Sequence, residues 1–93
     1  MITFYGSHIC SGCREAIAYL EKHKISYELI EITDSTDNLK AFLKLRDVHP
    51  VFSQVKSEGR IGIPCFIRPD GIPTLSLEEI LRENGYEYQE EQA

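Results

Sequence analysis

Cys10 and Cys13, separated by two residues, are the side chains in this 93-residue sequence whose type and spacing most directly allow chemistry. A thiol attacks a disulfide only as its thiolate, and a helix N-terminus supplies partial positive charge that favours that form. Two intervening residues in a first helical turn bring the second sulfur within reach of the first. Cys10 is therefore expected to attack a disulfide and Cys13 to resolve the mixed disulfide that results. Metal binding is the competing use of a C-x-x-C pair. A structural zinc site needs a second ligand pair at short spacing, and the third cysteine, Cys65, has neither His nor Cys beside it. A set drawn from His8, Cys10, Cys13 and Cys65 would have to be gathered by folding, so no metal is assigned. His8 stands two residues before Cys10, placed to shuttle protons near neutrality; a plain exposed loop histidine is the competing reading. Cys65 reads either as an inert buried thiol or as a third redox group.

These residues need a strand to deliver them and a helix to hold them. Ile2-Thr3-Phe4-Tyr5 predicts a short buried strand ending at Gly6, followed by the loop Ser7-His8-Ile9. From Cys13 to about His23, Ala16, Ile17 and Leu20 recur at helical spacing. Residues 27–32 form a second strand by composition, and the polar cluster Thr33-Asp34-Ser35-Thr36 offers caps for a helix from Asp37 to about Asp47. That helix carries Leu39, Phe42 and Leu43 on one face. Pro50 breaks it, and residues 51–56 predict one or two further helical turns before Gly59.

Residues 62–67 have strand composition but contain Pro64, which cannot donate to a ladder and marks an edge or a special site. Arg68-Pro69-Asp70-Gly71 is a turn, so an antiparallel hairpin should return through residues 72–75. Ser76-Leu77-Glu78-Glu79 matches a capping box, Leu75 and Ile80 are spaced as a hydrophobic staple, and Gly85 is a stop. The order strand, helix, strand, helix, strand, strand, helix implies a right-handed crossover between parallel strands and a four-stranded mixed α/β sheet with helices on both faces. Residues 1–93 have room for one domain, with an acidic tail over 86–93.

Ten Lys and Arg stand against 15 Asp and Glu, giving a formal charge of -5. Such a balance argues against nucleic-acid binding, which needs clustered basic residues to neutralise phosphates. No charged segment followed by an apolar run occurs near Met1, so neither export nor membrane insertion is expected. An odd count of three cysteines is a poor basis for a secreted disulfide scaffold, and in a reducing cytoplasm a C-x-x-C pair more often means redox chemistry or metal.

Phe4-Tyr5-Gly6 leading to Cys10-Ser11-Gly12-Cys13, with Gly62-Ile63-Pro64-Cys65-Phe66-Ile67 about fifty residues later, resembles the glutaredoxin family. More closely, these residues are similar to small bacterial glutaredoxin-related proteins with a Y-G-S opening and an I-G-I-P-C segment. The resemblance implies a thioredoxin-like, glutaredoxin-type fold and a cytoplasmic thiol-disulfide oxidoreductase, expected to be a monomer. Its partners would be disulfide-containing proteins or small molecules, with glutathione or a reductase as electron donor. It implies a cis Ile63-Pro64 bond and an Ile63 backbone that pairs with substrate. It also places Ser76 and Glu78 at the glutathione γ-glutamyl end, although a purely structural cap explains them as well.

The sequence departs from the dithiol pattern at Ser11 and Gly12, where Pro and Tyr are usual, at Ser7 in place of a Lys, and at about Leu75-Ser76 in place of a Gly pair. Glutathione is thus expected as a co-substrate at most, and no tightly bound cofactor. The alternative function is that of family members lacking Pro after the first cysteine, which hold an iron-sulfur cluster between two subunits through that cysteine, here Cys10, and glutathione. Arsenate-reductase-like and transcription-regulator relatives of the fold are usually longer and are expected to fit this chain less well.

Overall fold

Ile2 and Phe4 are buried on one face of strand β1 (Ile2–Gly6), whereas Tyr5, next after Phe4, packs against the other, as the two-residue period of a strand requires. The computed structural model in which this is seen describes residues 1–90; the last three residues of the expected tail lie outside the described residues. β1 pairs in parallel with β2 (Tyr27–Glu31) and antiparallel with β3 (Cys65–Ile67). β3 in turn pairs antiparallel with β4 (Pro73–Thr74), and the sheet order is β2-β1-β3-β4.

Helices α1 (Ser11–Lys22) and α4 (Leu77–Glu83) cover one face, where Phe4, Leu20, Phe66, Ile80 and Leu81 form the centre of a core. Helix α2 (Thr36–Val48), a 3-10 turn at Pro50–Phe52 and α3 (Ser53–Ser57) cover the other, around Ile32, Phe42, Phe52, Val55 and Cys65. This is an α/β, thioredoxin-like arrangement: a four-stranded mixed sheet with helices on both faces.

Several local expectations are corrected. β3 begins at Cys65, not at Gly62, because Gly62 has φ 98° and the Ile63–Pro64 peptide bond is cis, so residues 60–64 run as an irregular approach to the strand. A side chain at Gly62 would be both strained and obstructed, since its Cβ would stand 2.8 Å from the Phe52 ring. Of the apolar face expected for α2, Phe42 is fully buried, while Leu39 and Leu43 remain 37% and 38% exposed. Leu75 packs with the Phe42 and Phe52 cluster and Ile80 with the Phe4 and Phe66 cluster, so the two residues serve opposite faces in place of a staple.

Ser76 caps α4 as expected, its Oγ accepting the Glu79 N–H at 3.1 Å. The reciprocal arm of the box is absent, because the Glu79 carboxylate pairs with Arg68, which also reaches Glu83 at 3.1 Å. Tyr88 and Gln89 of the tail contact α1. The Tyr88 ring stacks on Tyr19 with centroids 5.2 Å apart, and the Gln89 N–H donates to the Tyr19 hydroxyl at 2.8 Å.

Candidate functional site

Strand β1 ends at Gly6, and the loop Ser7-His8-Ile9 carries the chain to Cys10, the N-cap of α1. An N-cap side chain accepts the otherwise orphaned N–H groups of the first turn. Here the acceptor is sulfur: Cys10 Sγ takes the Cys13 N–H at 3.4 Å. Cys10 is half-buried and Cys13 is wholly buried beneath it, and both are free thiols. Burial pushes the Cys13 thiol up to about 12; the Ser7 N–H, donating to Cys13 Sγ at 3.5 Å, acts against that shift, and the neighbouring Cys10 sulfur adds to it. Gly6 makes room for this sulfur, since a Cβ there would lie 2.9 Å from Cys13 Sγ.

The segment before β3 faces the pair from the other side. The Cys10 thiol points at the Ile63 carbonyl oxygen at 4.0 Å, and Pro64 Cδ lies 3.6 Å from where a Gly12 Cβ would be. Arg46 of α2 holds this segment in place, donating from Nε to the Ile61 carbonyl at 2.7 Å and from a terminal nitrogen to the Arg60 carbonyl at 2.8 Å. A groove of about 600 Å³ runs along Cys10, Arg60, Ile61, Gly62, Ile63, Pro64 and Leu75.

The loop that presents Cys10 is anchored by a residue the sequence did not single out. Glu31, the last residue of β2, accepts the His8 N–H and the His8 ring Nδ1, both at 2.9 Å, and the Thr33 hydroxyl at 2.6 Å. Burial acts to raise the Glu31 carboxyl, but these bonds outweigh it and hold it down at about 2. The same bond raises the His8 imidazole above its ordinary 6.5. The Thr33 hydroxyl in turn meets the buried Ser7 hydroxyl at 3.1 Å.

The sequence-predicted residues therefore divide. Cys10, Cys13, Ile63 and Pro64 come together at one end of the sheet. The His8 side chain is 64% exposed and turned to Glu31, with its carbonyl accepting from Arg14 at 3.1 Å. Cys65, although next to Pro64 in sequence, is sealed among Phe42, Phe52 and Val55 on the α2 side, where burial pushes its thiol up to about 12. Ser76 Oγ is occupied as a cap, and the Glu78 carboxylate pairs with Arg82 at 3.4 Å. Among the described residues no group of three or more His, Cys, Asp or Glu is gathered to hold a metal ion. Among the same residues no helix is long and apolar enough to cross a membrane.

Comparison with known proteins adds relatives to this geometry. The chain is 34% identical over 79 residues to an uncharacterized protein of Haemophilus influenzae, a match covering 85% of this chain and 91% of that protein. It is 29% identical over 86 residues to the global transcriptional regulator Spx of Streptococcus agalactiae, in serotypes V and III alike. That match covers 90% of this chain and 63% of Spx, so the chain spans under two thirds of the regulator's length. Transcription regulators are thus among the chain's relatives, and the part of Spx left uncovered agrees with the expectation that such relatives are longer. No protein-family model matches the chain, and no solved structure matches it. A thioredoxin-like chain with a close Cys10 and Cys13 pair is compatible with redox function.

Proposed function

We propose that the chain, which belongs to the same family as the Haemophilus influenzae protein, is a glutaredoxin-like thiol-disulfide oxidoreductase with Cys10 as nucleophile and Cys13 as resolving thiol. The observation that carries this reading is the placement of a half-exposed Cys10 Sγ at the N-cap of α1, above a buried Cys13 and opposite the Ile63 carbonyl. In the first step the Cys10 thiolate attacks one sulfur of RS–SR′, forming the mixed disulfide Cys10–S–SR and expelling R′S⁻. Cys13 then loses its proton and attacks Cys10 Sγ, closing a Cys10–Cys13 disulfide and releasing RS⁻. Two electrons have passed to the substrate, and a thiol reductant such as glutathione, or a reductase, returns them. The high position of the Cys13 thiol keeps it protonated while Cys10 reacts, which orders the two steps.

On this reading an extended substrate pairs with the Ile63 backbone, which is supported by the missing donor at Pro64 and the start of β3 only at Cys65. The first test is equilibration of reduced protein in graded glutathione buffers, followed by alkylation and intact mass. An intramolecular disulfide in the wild type and a glutathione adduct at Cys10 in Cys13→Ser are expected. A Cys10 that stays unreactive across the series overturns the reading.

The similarity to Spx favours a second reading, in which the pair is the switch of a regulatory protein. Rate separates the two: a catalytic amount of an oxidoreductase speeds disulfide reduction well above the rate with dithiothreitol alone, whereas a switch leaves that rate unchanged.

A further inference from the structure

A second groove leaves the same centre along α1. It encloses about 580 Å³ between α1 and α4, with Gly12 and Pro64 at the near end, Ala16, Phe66 and Leu77 within, and Tyr88 of the C-terminal segment at the far end. Pro64 and Leu75 line both this groove and the one beside Cys10, so the two adjoin there, and Cys10 Sγ lies 4.0 Å from where a Gly12 Cβ would be. The lining is largely apolar, with Glu15 and Lys22 as its charged members. Small residues keep it open: Gly12 at the junction and the exposed Ala18 along its length. The stacking of Tyr88 on Tyr19 fixes an aromatic wall at its end.

The length of the groove selects its occupant. Gly12 to Lys22 is ten residues of helix, about 15 Å, which an extended chain covers in about four or five residues. Glutathione has one residue on either side of its cysteine and reaches only the near end.

We infer that this groove binds the polypeptide flanking a substrate cysteine, seating an apolar or aromatic side chain against Ala18, Tyr19 and Tyr88, so that protein disulfides are the preferred substrates. The inference rests on the oxidoreductase reading of Cys10, and the sulfur chemistry is that given above.

The test is release of thionitrobenzoate by pre-reduced protein from three mixed disulfides. One is made with free cysteine, one with a nine-residue peptide carrying Leu and Phe around its cysteine, and one with the same peptide carrying Ser and Gly there. Wild type should react with the apolar peptide about tenfold faster than with the polar one, the effect of burying one apolar side chain. Ala18→Glu, a substitution at an exposed helical position, and Tyr88→Ala should each bring that ratio toward one. Equal rates for the two peptides in wild type, or an undiminished ratio in both variants, overturns the inference. Release from the free-cysteine compound without discrimination between peptides defeats the groove alone. Absence of release from all three defeats the oxidoreductase reading on which it stands.

Discussion

At the scale of the residue, the thiol pair is held by a carboxylate that never touches it. Glu31 fixes the loop before Cys10 through the His8 N–H, the His8 ring and the Thr33 hydroxyl, and Thr33 passes the constraint to Ser7, whose N–H meets Cys13 Sγ. A folded-state value near 2 against an ordinary 4.5 means that the ionised carboxylate favours the native state. That stability is fully present above about 4.5 and is lost as pH falls toward about 2. His8 runs the opposite way: its contribution is complete below 6.5 and disappears as pH rises through its raised folded value. Glu31→Gln should therefore cost about 1–2 kcal/mol at pH 6, the worth of charge-assisted bonds to a mostly buried acceptor. The cost should shrink as pH approaches 2. Urea titrations at the two pH values check this, and an equal loss at both would show that the charge is not what matters. None of this was legible in the sequence, because Glu31 and His8 are 23 positions apart and join only when β2 lies beside β1. The cysteine pair was legible because its two members share one helical turn.

At the scale of the element, local signals survived folding and longer-range ones were overridden. Ser76 caps α4 at its expected start, and Ser35, one of the cluster that offered caps, opens α2 at Thr36, one residue before the expected Asp37; the Gly85 stop closes α4 with the Tyr86 N–H on the Leu81 carbonyl at 2.8 Å. Each of these depends on residues within one turn. The extents of β3 and β4 were overestimated because strand composition says nothing of how many residues find a partner. The end of α1 is the instructive case. The Lys24 N–H bonds to Glu21 O at 3.2 Å and the Ile25 N–H to Leu20 O at 2.9 Å, the double bond of a Schellman ending. Lys24, however, occupies the left-handed position at φ 57°, where a Cβ is unfavourable. Lys24→Gly should stabilise the protein by about 0.5–1 kcal/mol, after the greater freedom of glycine in the unfolded chain is offset. In a domain of this size that raises Tm by about 2–8 °C, measurable by circular dichroism. An unchanged or lower Tm would mean that the Lys24 side chain contributes more than its backbone costs.

At the scale of the whole molecule, a sheet whose strands are five, five, three and two residues long is held chiefly by what covers its two faces. β3 shows how tightly those faces are tied, since adjacent residues Cys65 and Phe66 sit at the centres of opposite cores. Opening the α2 and α3 layer would expose Phe42, Phe52 and Val55 and at the same time leave β3 supported from one side only. Loss of either core should therefore take the other with it, and unfolding should be a single cooperative transition. Cys65 reports this directly, because its thiol is wholly buried on the α2 side, whereas the helical signal comes from both faces. In a Cys10→Ser, Cys13→Ala variant, where Cys65 is the single thiol, its alkylation during a urea titration should share one midpoint with the far-ultraviolet circular dichroism. If Cys65 becomes reactive at lower urea than the helical signal falls, the α2 side opens on its own. The Arg46 clamp on residues 60 and 61 would then open with it, and the loop presenting Ile63 to Cys10 would be governed by local unfolding of one face rather than by the stability of the whole.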